Sequence, residues 1–132
     1  MESIFQFSNP VLLKLDFKVN DRFEYNDNRE VQLQLMVETQ VNRQEHENQA
    51  FVILDVRAGQ KEESFPFYIH AQEAARFMWE SALYDEEKID KLLKQNAPAL
   101  LLSYLRPIIA NVTGSSPYSA YHLPFMNFVE NK

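Results

Sequence analysis

The apolar residues of this chain repeat at two different spacings, and the boundary between them falls near His70. Before it the spacing is two, the signature of strands with one buried face. Leu13, Leu15, Phe17 and Val19 share one face, with Lys14, Asp16 and Lys18 on the other. Val31, Leu33, Leu35, Val37 and Val41 repeat the pattern against Gln32, Gln34, Glu38 and Gln40. The polar stretch from Asn42 to Asn48 predicts a hairpin loop. Ala50 to Val56 is apolar on both faces, as a doubly covered strand would be. Gly59 falls in the next turn, where access to positive φ is useful. Phe65, Phe67 and Ile69 alternate again, and Pro66, which cannot donate to a ladder, predicts that this strand is an edge.

Beyond His70 the spacing becomes helical. Ala75, Met78, Trp79 and Ala82 form one stripe over Gln72 to Leu83. Asp85 is placed to cap a short charged helix running to Gln95, with Ile89, Leu92 and Leu93 as its apolar side. Asn96 can cap a second time, and Pro98 suits a first helical turn. Leu101, Leu102, Leu105, Ile108, Ile109 and Val112 then continue at helical spacing. Pro107 falls inside that helix, which predicts a kink, and Gly114 is placed as its C-cap. The tail from Ser115, with Pro117 and Pro124, reads as an irregular arm. Strands first and helices afterwards give an α+β class: a four-stranded antiparallel meander with C-terminal helices packed on one face. At 132 residues, without repeats or linkers, one domain spans residues 1–132.

Thirteen basic against nineteen acidic residues disfavour nucleic acid, whose affinity comes mainly from cations neutralising phosphates. The absence of cysteine excludes disulfides, thiolate metal sites and cysteine nucleophiles. The longest apolar stretch, Ala97 to Val112, is broken by Ser103, Tyr104, Arg106 and Pro107, so no membrane span is expected. The first residues lack the positive start and apolar core of a secretory signal. The expectation is a cytoplasmic protein.

Chemistry-bearing patterns are scarce. His46, His70 and His122 lie far apart, and none has a second histidine at helical spacing, so no metal site is expected. Two glycines cannot build a nucleophile elbow, a Walker loop or a dinucleotide fingerprint. Thr113-Gly114-Ser115-Ser116 follows a helix, where the dipole presents its negative end and repels an anion. Asp85, Glu86 and Glu87 are what the macrodipole favours at a solvated helix start, and Glu62 and Glu63 solubilise a loop. No catalytic residue, cofactor or enzymatic activity is expected.

What remains is apolar surface. Ten Phe, six Tyr and one Trp are many for a small sheet with one helical layer. Phe23, Tyr25, Tyr118, Tyr121, Phe125 and Phe128 lie in loops or the tail, where they either fold back as core or form a patch for oligomers or extended peptides. The long helix, apolar on more than one side, fits a subunit interface.

The C-terminal third resembles the SecB-type protein-export chaperones. The likeness begins at Leu101-Leu102-Ser103-Tyr104-Leu105-Arg106 and continues through Ile109, Gly114, Pro117, Leu123-Pro124 and Asn127-Phe128. The chain also resembles a group of short, uncharacterised SecB-like cytoplasmic proteins of Gram-positive bacteria. The resemblance implies an antiparallel sheet with helices on one side, assembled as a dimer or a tetramer. It implies ATP-independent binding of unfolded polypeptides in apolar grooves. Peptide contacts would then involve Phe23, Tyr25, Tyr118, Tyr121, Leu123, Pro124, Phe125 and Phe128, and the subunit interface Leu101, Tyr104, Leu105, Arg106 and Ile108. The family's translocase-docking sheet face is acidic, whereas here Lys14 and Lys18 flank Asp16. The competing expectation is an oligomeric interaction or scaffold protein that keeps the fold without the export function.

Overall fold

In the computed structural model, residues 5–23, 33–44, 47–61, 65–80 and 85–129 are described. Five strands form one antiparallel sheet: β1 (Phe5–Phe7), β2 (Val11–Val19), β3 (Leu35–Arg43), β4 (Gln49–Gly59) and β5 (Phe67–Trp79). The last three follow one another as a meander, β3 on β4 and β4 on β5. The first two do not join that meander at β3. Both pair with β5, β1 opposite Phe77 to Trp79 and β2 opposite Phe67 to Ala74. They act as one interrupted edge strand, and the Ser8–Pro10 break is fastened to β5. Ser8 donates its N–H to the Arg76 carbonyl at 2.9 Å, and its Oγ accepts from the Arg76 N–H at 3.0 Å.

The class is as expected, but the sheet has five strands in place of the four-stranded meander, and two further expectations are overturned. The segment carrying Phe67 and Ile69 is central and not an edge, because Pro66 lies just before the strand, where only its carbonyl is used, accepting from the Asn20 N–H at 2.9 Å. Nor do residues 72–79 form a helix; they continue β5. Ala, Gln, Glu, Arg and Met favour helix intrinsically, but the environment rewards a different pattern. Phe67, Ile69, Ala71, Glu73, Ala75, Phe77 and Trp79 are all buried at period two. Ala82 lies outside the described residues.

The helical layer starts where Asp85 predicts. Asp85 Oδ1 accepts from the Lys88 N–H at 2.8 Å, capping α1 (Glu86–Lys91). Asn96 makes no side-chain cap: a π-turn over Leu92–Asn96 keeps the backbone helical into α2 (Ala97–Gly114), and Pro98 sits in the first turn of α2. Pro107 is accommodated within α2. Ile89, Leu93, Leu101, Leu105 and Ile109 pack on Val52, Leu54, Val56, Ile69, Ala71, Ala75 and Phe77 to form the core. The start of α1 is tied to the sheet by Arg43 at the end of β3. Its guanidinium makes two hydrogen bonds to the Glu86 carboxylate, at 2.6 and 3.0 Å, and stands 5.1 Å from the centre of the Trp79 ring.

Of the two glycines, Gly59 has the expected positive φ, 76°. A Cβ there would stand 2.1 Å from the Phe67 carbonyl oxygen, so the β4–β5 turn demands glycine on both counts. Gly114 has an ordinary φ, and the helix ends through Ser115 without a left-handed cap. Its small size lets the returning tail approach, since an added Cβ would lie 3.3 Å from Ala120 Cβ.

Candidate functional site

Helix α2 packs over β4 and β5. The strand beyond β5 is left with much of its apolar surface in solvent: Phe7, Val11, Leu12, Leu13 and Leu15 are 37–49% exposed. A register shift between Leu12 and Lys14 places Leu13 in a β-bulge, which breaks the alternation that would have put it on the buried face. After the bulge Leu15, Phe17 and Val19 share the expected face, opposite Ala71, Ile69 and Phe67, but Leu15 stays exposed while Phe17 and Val19 are half-buried, and Phe17 meets the Phe67 ring at 5.6 Å. The outer edge of β2 has no strand partner among the described residues. The opposite edge, β3, is blunted by Glu38, Gln40, Asn42 and Arg43, all exposed. One edge is thus polar, and the other offers unpaired backbone flanked by leucine and valine.

A second apolar element is the tail, pinned by an arginine. Arg106 Nε donates to the Leu123 carbonyl at 2.7 Å, and the guanidinium lies 3.9 Å from the centre of the Phe125 ring. Leu123 is fully buried while Phe125 is 83% exposed. The turn leading into this segment is held by Thr113, whose Oγ1 donates to the Ile109 carbonyl and accepts from the Tyr121 N–H, both at 2.7 Å. Tyr121 packs its ring 6.1 Å from Phe67, and burial pushes its phenol above the ordinary value. Phe23 is buried edge-on against Tyr118 at 5.7 Å, and the Tyr118 hydroxyl donates to the Asn20 carbonyl at 3.4 Å.

The residues singled out in the sequence therefore divide. Phe23 and Leu123 are buried, Tyr118, Tyr121 and Phe128 are half-buried, and Pro124 and Phe125 face solvent. Tyr25 lies outside the described residues. Of the helix positions, Leu101 and Leu105 are consumed by the core, while Tyr104 is exposed and Arg106 and Ile108 are half-buried. Leu100, Tyr104, Ile108 and Val112, four residues apart, leave one partly exposed stripe along α2. Sequence reading missed the edge strand, taking Leu13 and Leu15 for a buried face. The available signal was Val11-Leu12-Leu13, three consecutive apolar residues that alternation cannot bury together.

The sheet face opposite α2 carries a polar cluster around Asp55, beside Phe51, Ile53 and Met78. Asp55 Oδ2 accepts from Gln72 Nε2 at 2.6 Å and is 2.8 Å from His70 Nε2, while Arg57 Nε lies 3.4 Å from Oδ1. Burial alone would push the Asp55 carboxyl up, but the hydrogen bonds from Gln72 and His70 and the charges of His70 and Arg57 together hold it below the ordinary value. Among the described residues no three His, Asp or Glu side chains gather as a metal site. No helix of the described residues is long and apolar enough to cross a membrane.

Glu73 is the one acid on the α2 side of β5. It stands opposite Leu12 on one side and Leu54 on the other, is 2% exposed, and its Oε1 has no hydrogen-bond partner among the described residues. Burial raises its pKa.

Comparison with known proteins places this architecture. Among curated protein sequences there is no match. The fold is similar to that of the SecB-like chaperone Rv1957 of Mycobacterium tuberculosis, solved in complex with a ChAD peptide from the HigA1 antitoxin. That likeness has a TM-score of 0.74 at 16% identity and covers 92% of this chain and 90% of the other. A protein of unknown function from Streptococcus agalactiae aligns over 92% of this chain and 97% of its own, with a TM-score of 0.48 and 15% identity. The family model described as preprotein translocase subunit SecB matches residues 12–130, nearly the whole described fold, and this chain therefore belongs to the SecB family.

Proposed function

We propose that this chain binds unfolded or extended polypeptide segments without ATP, and that the edge strand β2 and its apolar flanks are the receiving surface. One observation carries the reading: four apolar residues of one strand, Val11, Leu12, Leu13 and Leu15, are exposed beside unpaired backbone. A strand so exposed pairs with further extended chain, the backbone giving affinity and the side-chain pockets giving selectivity. The exposed Phe125, stacked by Arg106, extends the apolar surface on the tail. Family membership and the peptide bound by the mycobacterial neighbour support the same reading.

The partly exposed stripe of Leu100, Tyr104, Ile108 and Val112 supports self-association through α2, as a dimer or a tetramer. Tyr104, Arg106 and Ile108 are the members of the predicted interface that remain accessible for it.

The test is suppression of client aggregation, titrated against an unfolded precursor in the absence of ATP, with the oligomer mass measured by light scattering on the same sample. Stoichiometric suppression is expected, and it is lost in Leu13→Asp with Leu15→Asp. A folded, monodisperse protein that leaves aggregation unchanged at micromolar concentration would sink the reading. It would favour instead an interaction protein whose apolar surface serves self-assembly.

A further inference from the structure

After α2 the chain turns back, and from Tyr121 to Phe128 it is neither helix nor strand. Its burial alternates all the same. Tyr121 and Leu123 are covered while His122 and Pro124 are exposed, and beyond Phe125 the half-buried Met126 and Phe128 flank the exposed Asn127. Such alternation belongs to an extended chain laid with one side against an apolar surface. β5 shows it with a ladder on both sides. Here there is no ladder. Among the described residues, the main chain of 122–128 takes one hydrogen bond from elsewhere in the molecule, Arg106 Nε donating to the Leu123 carbonyl at 2.7 Å. Leu123 is fully buried in the core cluster, and Met126 and Phe128 pack against that cluster. The segment is therefore held by side chains, with one leucine as its deepest contact. Its start is better fixed, since the Tyr121 N–H donates to Thr113 Oγ1 at 2.7 Å. Segments with so few backbone bonds lie at the low end of local stability.

The geometry points to a self-occupied site: residues 122–128 are a strap lying where one extended segment of an unfolded polypeptide seats, and that segment enters by displacing the strap about Tyr121. The strap holds its place by the means an unfolded chain has, extended backbone and apolar side chains. Its own sequence states what fits: bulky apolar residues at the spacing of Leu123, Met126 and Phe128. The inference rests on the polypeptide-binding reading above and gives it a built-in competitor. A strap tethered beside its seat acts at an effective concentration on the order of millimolar. A free segment is then weakened by the fraction of time the seat is filled. Weakly apolar segments are turned away, and bound ones are released when the strap returns.

A fluorescent peptide reproducing residues 121–129, acetylated and amidated, is titrated into the full chain and followed by anisotropy. Its control carries Leu123→Ser, Met126→Ser and Phe128→Ser. The first peptide binds the unaltered chain weakly, and the control does not bind. Leu123→Ala in the chain loosens the strap and leaves the seat whole, so the peptide binds about tenfold tighter, in line with the burial of one leucine side chain. Met126→Ser with Phe128→Ser in the chain is milder, because both residues are half-buried; it tightens binding about threefold and serves if Leu123→Ala does not fold. In the unaltered chain saturated with peptide, the Leu123 methyl resonances leave their buried positions. Equal affinity for the unaltered chain and a folded strap variant overturns the inference, as do Leu123 methyls unmoved at saturation. Binding to none of the chains overturns it as well. Aggregation suppression on the same samples separates the two readings: if it is retained, polypeptide binding stands without the strap, and if it is absent, both fall.

Discussion

β5 and β2 lie side by side in one sheet and differ in how well they bury what they carry. β5 contains three alanines, a glutamate and an arginine, yet its α2-facing residues are buried from Phe67 to Trp79. β2 carries Val11, Leu12, Leu13 and Leu15 and leaves every one of them exposed. The richer strand is the wetter one because burial is decided by neighbours. β5 has a strand on each side and α2 above, and its small Ala71 and Ala75 let the helix come close. Among the described residues β2 has a strand neighbour on one side only. Fully burying such a side chain is worth about 1.5–3 kcal/mol, and β2, with these residues 37–49% exposed, forgoes a part of that at each. Such surface is expected where the strand still has something to bind.

Replacing residues on the two strands sharpens the contrast. Phe77→Ala removes a fully buried ring of β5 that also meets Phe5 and Phe7, at 5.6 and 6.0 Å. It should cost about 3–5 kcal/mol in a denaturant titration; a loss below 1 kcal/mol would show that the sheet–helix core is loose. Ala75→Leu, at the contact with α2, should cost about 1–3 kcal/mol by overpacking. A neutral result would mean that the alanines of β5 do not set the helix distance.

Glu73 gives a pH-dependent version of the same comparison. Its pKa in the fold is raised above the ordinary 4.5, so the fold prefers the protonated carboxyl. The unfolded chain therefore binds fewer protons than the folded one in that window. Stability is full below the ordinary value and is lost as pH rises through the raised one. Glu73→Gln should flatten that slope and raise stability near neutral pH. Parallel stability-against-pH curves for the two proteins would rule out Glu73 as the source.

The smallest effect on stability is expected at the edge. Leu13→Lys with Leu15→Lys should change unfolding free energy by less than about 0.5 kcal/mol per site, as surface substitutions do. Client holding should nevertheless be lost. If the pair instead unfolds the protein, β2 is structural and the receiving surface must be sought on the tail around Phe125.

Local rules that involve few residues were readable without coordinates. Asp85 caps α1, Gly59 takes positive φ, Pro98 opens α2, and the polar stretch after Arg43 makes the hairpin between β3 and β4. Each depends on one side chain and its immediate backbone. The reading failed over residues 72–79, where helix-forming composition and strand-forming context conflict, and context prevailed because the segment sits in the middle of the sheet. It also failed at Leu13, because the bulge takes that residue out of the register that Leu15, Phe17 and Val19 keep opposite Ala71, Ile69 and Phe67, and a bulge leaves no mark in composition. Among the residues nominated for binding, Phe23 and Leu123 turned out to be packed inside, since a tail folded back by Arg106 and Thr113 buries whatever lies beneath it.

By itself, the sequence determined the α+β class, the strand-then-helix order and the caps and turns, because periodicity and local backbone chemistry are encoded a few residues apart. The resemblance to SecB was legible in its C-terminal motif for the same reason. Only the tertiary structure decided that β1 and β2 cross to pair with β5, that Glu73 is buried beneath α2, and that Lys18 and Lys61 line one cavity. Those outcomes join residues from about 25 to about 75 positions apart in the chain, and long-range pairing is settled by which surfaces can be covered together rather than by any local pattern.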